Sequence, residues 1–153
     1  MTIFRTSWDS SSDAPWQTLA SGDRTGGLMV FGEARLAPRS SGPSLHVHTR
    51  EDESVYVIDG LLTIALGDER IEASPGEFVW LPREVPHTFA NLSADPVRVV
   101  GAIVPAGLEG MFAEQAAYFA SLSGPPDETE IGAIGAKYGV TIVGPPLVAE
   151  GPA

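Results

Sequence analysis

Short runs of apolar and β-branched residues alternate with Gly, Pro and Asp-Gly turn signals from residue 28 to residue 104. Strands of this kind, interrupted this often by turns, are typical of a β-sandwich or a β-barrel. The predicted strands cover residues 28–36, 45–48, 54–58, 61–66, 70–73, 77–81, 87–91 and 97–104. Asp59-Gly60, between two of these strands, predicts a two-residue hairpin turn.

The pattern becomes helical after Pro105. Apolar residues spaced three and four apart predict an amphipathic helix over 108–122. Asp127 is a good N-cap for a second helix that ends near Gly139, and 140–146 is expected to be an extended tail. A chain of 153 residues fits one domain over 1–153. Its β core covers about 28–104, and a helical appendage over about 106–140 packs on this core or on a partner subunit.

Charge and hydropathy exclude two classes of partner. The net charge of −11 argues against nucleic acid and anionic membranes, because both require basic patches. No apolar run approaches the ~18 residues of a membrane span. The first 16 residues lack the apolar stretch of a signal peptide, and the chain has no cysteine. We therefore expect a cytoplasmic protein.

The chain has three histidines: His46, His48 and His87. Residues two apart on a strand point to the same face, so His46 and His48 present their imidazoles side by side. Glu53 opens the next strand and His87 opens a later one, and a barrel can bring all four to one interior point. Three imidazoles and a carboxylate suit one divalent ion of Fe, Mn, Ni, Co, Cu or Zn.

Two other acidic residues compete with Glu53 for the place of the carboxylate ligand. Glu51 and Asp52 lie in the same polar turn, and on charge alone either could bind the ion. The residues themselves leave this choice open.

The histidines stand in a motif that resembles the first motif of the cupin superfamily. It runs from Gly42 through His46, His48 and Glu53 to Gly60. The leading glycine is closer to the first histidine than in the usual pattern, and the remaining spacing fits. This spacing favours Glu53 as the carboxylate ligand.

The second cupin motif is matched from Gly76 through Pro82 and His87 to Asn91. Glu84 replaces the usual glycine of this motif, which indicates a slightly different loop and a carboxylate near the mouth of the site. The resemblance implies a mainly β fold: a cupin (double-stranded β-helix or jelly-roll) barrel with two C-terminal α-helices. It also implies one metal ion held by His46, His48, Glu53 and His87.

Within the cupins, the chain most resembles small single-domain flavonol (quercetin) dioxygenase-like proteins. The resemblance lies in residues 46–53, 55–60, 81–89, 137–140 and 144–146. It implies a metal-dependent dioxygenase for a flavonol-like or other enolic aromatic compound, with Glu53 assisting deprotonation, and a homodimer. Two alternatives stay open: a metal-dependent isomerase, lyase or cyclase that uses no oxygen, and a non-catalytic cupin that binds a small ligand.

Five apolar residues are candidates for the wall of the substrate pocket. Period-two counting places Val55 and Val57 on the face of Glu53, and Phe89 on the face of His87. Phe112 and Phe119 lie on the predicted first helix, which could close the barrel mouth. Ordinary core packing and helix docking explain these residues equally well.

Overall fold

A computed structural model of the chain describes residues 3–149. Within this range, ten strands form two five-stranded sheets in which all pairing is antiparallel. The strands are β1 (Trp16–Ala20), β2 (Val30–Leu36), β3 (Ser44–His48), β4 (Asp52–Asp59), β5 (Leu62–Leu66), β6 (Glu69–Ala73), β7 (Phe78–Leu81), β8 (His87–Ala90), β9 (Val97–Val104) and β10 (Val140–Pro146). The helices are α1 (Gly22–Thr25), α2 (Glu109–Ser121) and α3 (Glu128–Lys137).

The strand order is β1-β2-β9-β4-β7 in the first sheet and β10-β3-β8-β5-β6 in the second. Among the described residues, no strand of one sheet pairs with a strand of the other. The mainly β fold with two C-terminal helices is therefore confirmed. Its architecture is a jelly-roll-like sandwich rather than a closed barrel.

The main core lies between the two sheets, and it follows from the alternation of side chains along each strand. In β4, Val55 and Val57 point inward and are buried, whereas Tyr56 and Ile58 point outward and are exposed. The inward residues of β4 pack with residues of the other sheet such as Leu62. The first apolar cluster consists of Ala34, Leu36, Val55, Val57, Leu62, Ile64, Ala73, Leu81, Val97 and Val99.

The predicted hairpin at Asp59-Gly60 is wrong, because β4 and β5 lie in different sheets. This turn carries the chain across the sandwich. Gly60 has a φ of 81°, and a Cβ at this position would collide with the carbonyl oxygen of Pro96. The turn residues predict the chain reversal correctly, but long-range pairing of β4 with β9 and β7 decides which strands become neighbours.

The C-terminal part adds a second apolar cluster and one strand to the sandwich. Asp127 caps α3 as predicted, since its side chain accepts a hydrogen bond of 2.8 Å from the backbone N–H of Thr129. The segment predicted as an extended tail forms β10, which pairs with β3. The second cluster consists of Val30, Ile103, Leu108, Met111, Ile134 and Val140.

Sequence reasoning also missed β1 at the edge of the first sheet. This strand pairs with β2 and has Trp16 opposite Ala34. Its residues are mostly only half-buried, so it lacks the apolar run that marks the central strands. No helix in the described part of the chain is long and apolar enough to cross a membrane.

Candidate metal centre

Three strands bring the four predicted ligands to one point between the sheets. His46 and His48 lie on β3, and His87 is the first residue of β8, where it pairs with His46. Glu53 reaches them from β4 in the opposite sheet. One potential ligand atom from each residue lies within 4.8 Å of those of the other three. The structure therefore places together the four residues that the motif selects.

The carboxylate of Glu53 lies between two imidazoles. Its Oε1 is 3.5 Å from Nε2 of His48, and its Oε2 is 3.4 Å from Nε2 of His87. Two atoms that each lie about 2.1 Å from one Zn²⁺ ion are about 3.4 Å apart in tetrahedral geometry. The spacing of these three side chains therefore suits a shared cation.

Backbone carbonyls select the nitrogen that two of the histidines direct toward this point. Nδ1 of His46 is 2.8 Å from the carbonyl oxygen of Ser44, and Nδ1 of His87 is 2.9 Å from that of Val85. A carbonyl can only accept, so both Nδ1 atoms carry the proton. In the neutral form of each ring, Nε2 is then left with a lone pair that can bind a metal ion.

Unpaired buried nitrogen atoms support the fit of an ion at this point. Within residues 3–149, Nε2 of His48 and Nε2 of His87 are buried and make no hydrogen bond. His48 is 1% exposed and His87 is fully buried. Burying a polar atom without a partner costs free energy, and a cation among these atoms would remove that cost.

The four residues of the cluster differ in the direction in which their surroundings shift the pKa. Burial lowers the pKa of His46 below its usual value, and it lowers the pKa of His48 to about 4. Burial also acts on His87, but contact with the Glu53 carboxylate outweighs it, and the net pKa of His87 is raised. Burial alone would raise the pKa of Glu53, but His87 and the other imidazoles bring it below its usual value. At neutral pH His46 and His48 are neutral and Glu53 is ionised, as metal binding requires.

Neither of the competing carboxylates joins the cluster. Asp52 accepts hydrogen bonds from Nη2 of Arg83 at 2.7 Å and from the Arg83 backbone N–H at 2.8 Å. Glu51 lies beside Nδ1 of His48, whereas Glu53 lies beside its Nε2. The geometry thus separates the three acids, and burial raises the pKa of Glu51.

The loop before His87 keeps the conformation that the missing glycine would favour. Glu84 has a φ of 65°, which is the left-handed region. Its backbone N–H donates a hydrogen bond of 2.7 Å to the carbonyl oxygen of His48. The Glu84 side chain is exposed, so this position links the loop to the ligand strand through its backbone.

The five predicted pocket residues lie in three different environments. Val55 and Val57 are buried in the first apolar cluster, and Phe89 packs against it while partly buried. Phe112 packs against the second cluster, and its ring is 6.4 Å from that of Trp16. Phe119 is 47% exposed and lines a shallow apolar cleft together with Phe112. Their role as a substrate wall stays a prediction.

Antiparallel strands in two jelly-roll-like sheets, with a His3Glu cluster between them, form a cupin-like fold. Residues 32–103, a little under half of the chain, match the family model described as Cupin domain. This match contains all four residues of the cluster.

Two curated relatives each match a little under half of the chain. An uncharacterized protein of Methanocaldococcus jannaschii is 26% identical over 65 residues, which is 42% of this chain and 52% of that protein. Quercetin 2,3-dioxygenase of Bacillus subtilis is 28% identical over 67 residues, which is 44% of this chain and 20% of that protein. The chain therefore spans about half the length of the first relative and a fifth of the second.

The fold resembles that of a crystal structure from Thermotoga maritima, described as a predicted oxalate decarboxylase. The TM-score is 0.55 at 19% sequence identity, and the match covers 59% of this chain and 78% of that chain. At this identity the likeness concerns the fold alone.

Proposed function

We propose that this protein is a metal-dependent dioxygenase that acts on a flavonol-like or other enolic aromatic compound. One observation carries the metal-dependent part: the potential ligand atoms of His46, His48, Glu53 and His87 lie within 4.8 Å of one another. A bound ion would supply Lewis acidity and a site for oxygen chemistry.

The choice of reaction has two supports. The first is the similarity of 44% of the chain to quercetin 2,3-dioxygenase, at 28% identity over 67 residues. The second is Glu53, whose ionised carboxylate could accept the proton of an enol hydroxyl group. Glu53 is 15% exposed in its side chain and His46 is 9% exposed, whereas the other two ligands are closed to solvent. A substrate would therefore approach from the side of Glu53 and His46.

The buried polar residues outside the cluster favour oxygen chemistry over a reaction that needs several polar groups inside. The amide of Asn91 donates to the carbonyl oxygens of Leu36, Ala37 and Asp95. Thr88 donates to the carbonyl oxygen of Pro43 at 2.6 Å. These side chains hold the backbone together. Among the buried polar side chains outside the cluster in the described part of the chain, only that of Glu51 has an oxygen without a partner, whereas an isomerase, lyase or cyclase would require several free polar groups.

Metal content is the first test. Protein purified without chelators should contain close to one equivalent of a divalent metal by elemental analysis, and His48→Ala should lose it while remaining folded. Glu84→Gln is a matched control: the backbone N–H of Glu84 contacts the His48 carbonyl, but its carboxylate is exposed, so its removal should leave metal content unchanged. Unchanged metal in His48→Ala would show that the ligand assignment is wrong.

Oxygen uptake is the second test. An oxygen electrode should record consumption with at least one member of a panel of flavonols and other enols, and Glu53→Gln should lose most of this activity. Substrate turnover without oxygen uptake would instead favour the isomerase, lyase or cyclase. Ligand binding by protein that contains no metal would favour a binding cupin.

The proposal includes a cytoplasmic homodimer. β7 is an edge strand of the first sheet, and its Phe78 and Trp80 are 60% and 46% exposed. A second copy that covers this edge would bury both aromatic rings and the unpaired edge of the strand. Light scattering after size-exclusion chromatography should give the mass of two chains, and a mass of one chain would contradict the dimer.

A further inference from the structure

The three imidazoles of the cluster differ in the group that faces Nδ1, the ring nitrogen on the side away from the proposed ion. Nδ1 of His46 and Nδ1 of His87 each face a backbone carbonyl. Within residues 3–149, Nδ1 of His48 makes no hydrogen bond although it is buried. A side-chain oxygen faces it: Oε2 of Glu51 lies 3.6 Å away, just beyond hydrogen-bond distance.

Glu51, like the His48 ring that it faces, is buried and has a polar atom without a hydrogen-bond partner. It is only 4% exposed, and its Oε2 is buried without a hydrogen-bond partner in the described part of the chain. Its Oε1 lies 3.5 Å from the point that a Cβ on Gly107 would occupy, so the loop leading to α2 covers it. A buried carboxyl oxygen and a buried ring nitrogen, both unsatisfied and a few tenths of an ångström too far apart, need only a small movement to satisfy each other.

We propose that Glu51 is a positioning residue for the metal centre, which accepts a hydrogen bond from Nδ1–H of His48 and so directs Nε2 of His48 at the ion. A carboxylate behind a ligand histidine fixes the tautomer and the orientation of the ring and raises its basicity. Glu51 thereby does for His48 what Ser44 and Val85 do for the other two histidines through their carbonyl oxygens. The inference rests on the proposed metal centre.

The test compares two substitutions, using Zn²⁺ as the probe and competition with a chromophoric chelator as the measurement. Glu51→Leu removes the acceptor and should weaken Zn²⁺ binding by about 10- to 100-fold. Glu51→Gln removes the charge but keeps an oxygen that can accept from Nδ1–H, so it should restore most of the affinity. Equal losses in the two variants would indicate long-range attraction of the cation and would overturn the proposal.

A double-mutant cycle separates positioning from a general effect on the fold. The three remaining ligands of His48→Ala should still bind added Zn²⁺, although more weakly. Glu51→Leu should have little further effect on this affinity, because the ring that it supports is gone. In the matched His46→Ala background it should still weaken binding. An equal effect in both backgrounds would contradict a role that acts through His48. Circular dichroism of each variant verifies that the comparison is made on folded protein.

Nuclear magnetic resonance can report which ring nitrogen of His48 carries the proton and which binds the ion, and a purely structural role of Glu51 would not determine this. Long-range ¹H–¹⁵N spectra of the Zn²⁺-loaded protein should show a protonated Nδ1 and a metal-bound Nε2 for His48, and binding through Nδ1 would refute the inference. The outcomes also separate two kinds of failure. If His48→Ala and His87→Ala leave Zn²⁺ affinity unchanged, the metal centre itself is wrong. If they weaken binding strongly while Glu51→Leu does not weaken it, only the role of Glu51 is wrong.

Discussion

Acidification should destabilise the metal-free protein through the buried imidazole of His48. Burial lowers the pKa of this residue to about 4 from its usual value of 6.5. Each pH unit of difference between the folded and unfolded pKa corresponds to about 1.4 kcal/mol. His48 should therefore remove about 3 kcal/mol from the free energy of unfolding by pH 4. That is a large share of the roughly 5–15 kcal/mol that stabilises a typical domain.

The sign follows from which state binds the proton. Above pH 6.5 His48 is neutral in both states, and it has no effect on the pH dependence. Between pH 6.5 and about 4 the unfolded chain binds a proton that the folded protein excludes, so stability falls as the pH falls. Below that window both states are protonated, and the loss is complete.

Urea unfolding at pH 7, 6, 5 and 4 in the presence of a chelator measures this loss. Other groups titrate over the same range, so the informative quantity is the difference between wild type and His48→Gln, which has no ionisable group at this position. The wild type should lose about 3 kcal/mol more than the variant across the window. Parallel pH profiles for the two proteins would show that the imidazole of His48 is not held neutral by burial.

Three further predictions concern the ion, the core and the loop before His87. Contact with Glu53 raises the pKa of His87, so below that pKa a metal ion must displace a proton from this ring. Zn²⁺ affinity should then fall about tenfold per pH unit, and constant affinity from pH 7.5 to 5.5 would contradict this. Leu62 is fully buried between the sheets, so Leu62→Ala should lower the free energy of unfolding by about 2–5 kcal/mol without changing metal content per folded molecule. Glu84→Gly should raise the urea midpoint, because the left-handed conformation costs a residue with a side chain about 1–2 kcal/mol. Glycine also makes the unfolded chain more flexible, which lowers stability, but this effect is smaller than the strain that is removed. An unchanged or lower midpoint would argue against strain at this position.

The strands could be predicted well because each signal for them is local. Apolar residues alternate along strands such as β4 and β9, and turn residues separate the strands. From these two signals, most ends of the predicted strands fall within two residues of the observed ends. Pairing was harder to predict, since it depends on contacts far apart in the chain. Asp59-Gly60 illustrates the difference: the residues specify a reversal, and the neighbours of β4 specify that the chain crosses to the other sheet.

The residues of the candidate site could be selected from the sequence, but their supporting contacts could not. The spacing of His46 and His48 places both on one face of a strand, and this holds in the structure. Charge alone could not choose among Glu51, Asp52 and Glu53. Their roles depend on the geometry of the turn, which directs the first carboxylate behind His48 and the second to Arg83. A carboxylate three residues after a ligand histidine was the available signal for the position of Glu51.

The C-terminal segment is better regarded as part of the candidate metal centre than as an appendage. In the part of the chain that the structure describes, β3, which carries His46 and His48, pairs with β8 only at His46 and His87. On its other side β3 pairs with β10 along most of its length, from Val140 opposite His48 to Pro146 opposite Ser44. Val140 is also buried in the second apolar cluster with residues of α3. Strand pairing and apolar burial thus connect α3 and β10 directly to the ligand strand, so the orientation of both imidazoles depends on a part of the chain that supplies none of the four predicted ligands.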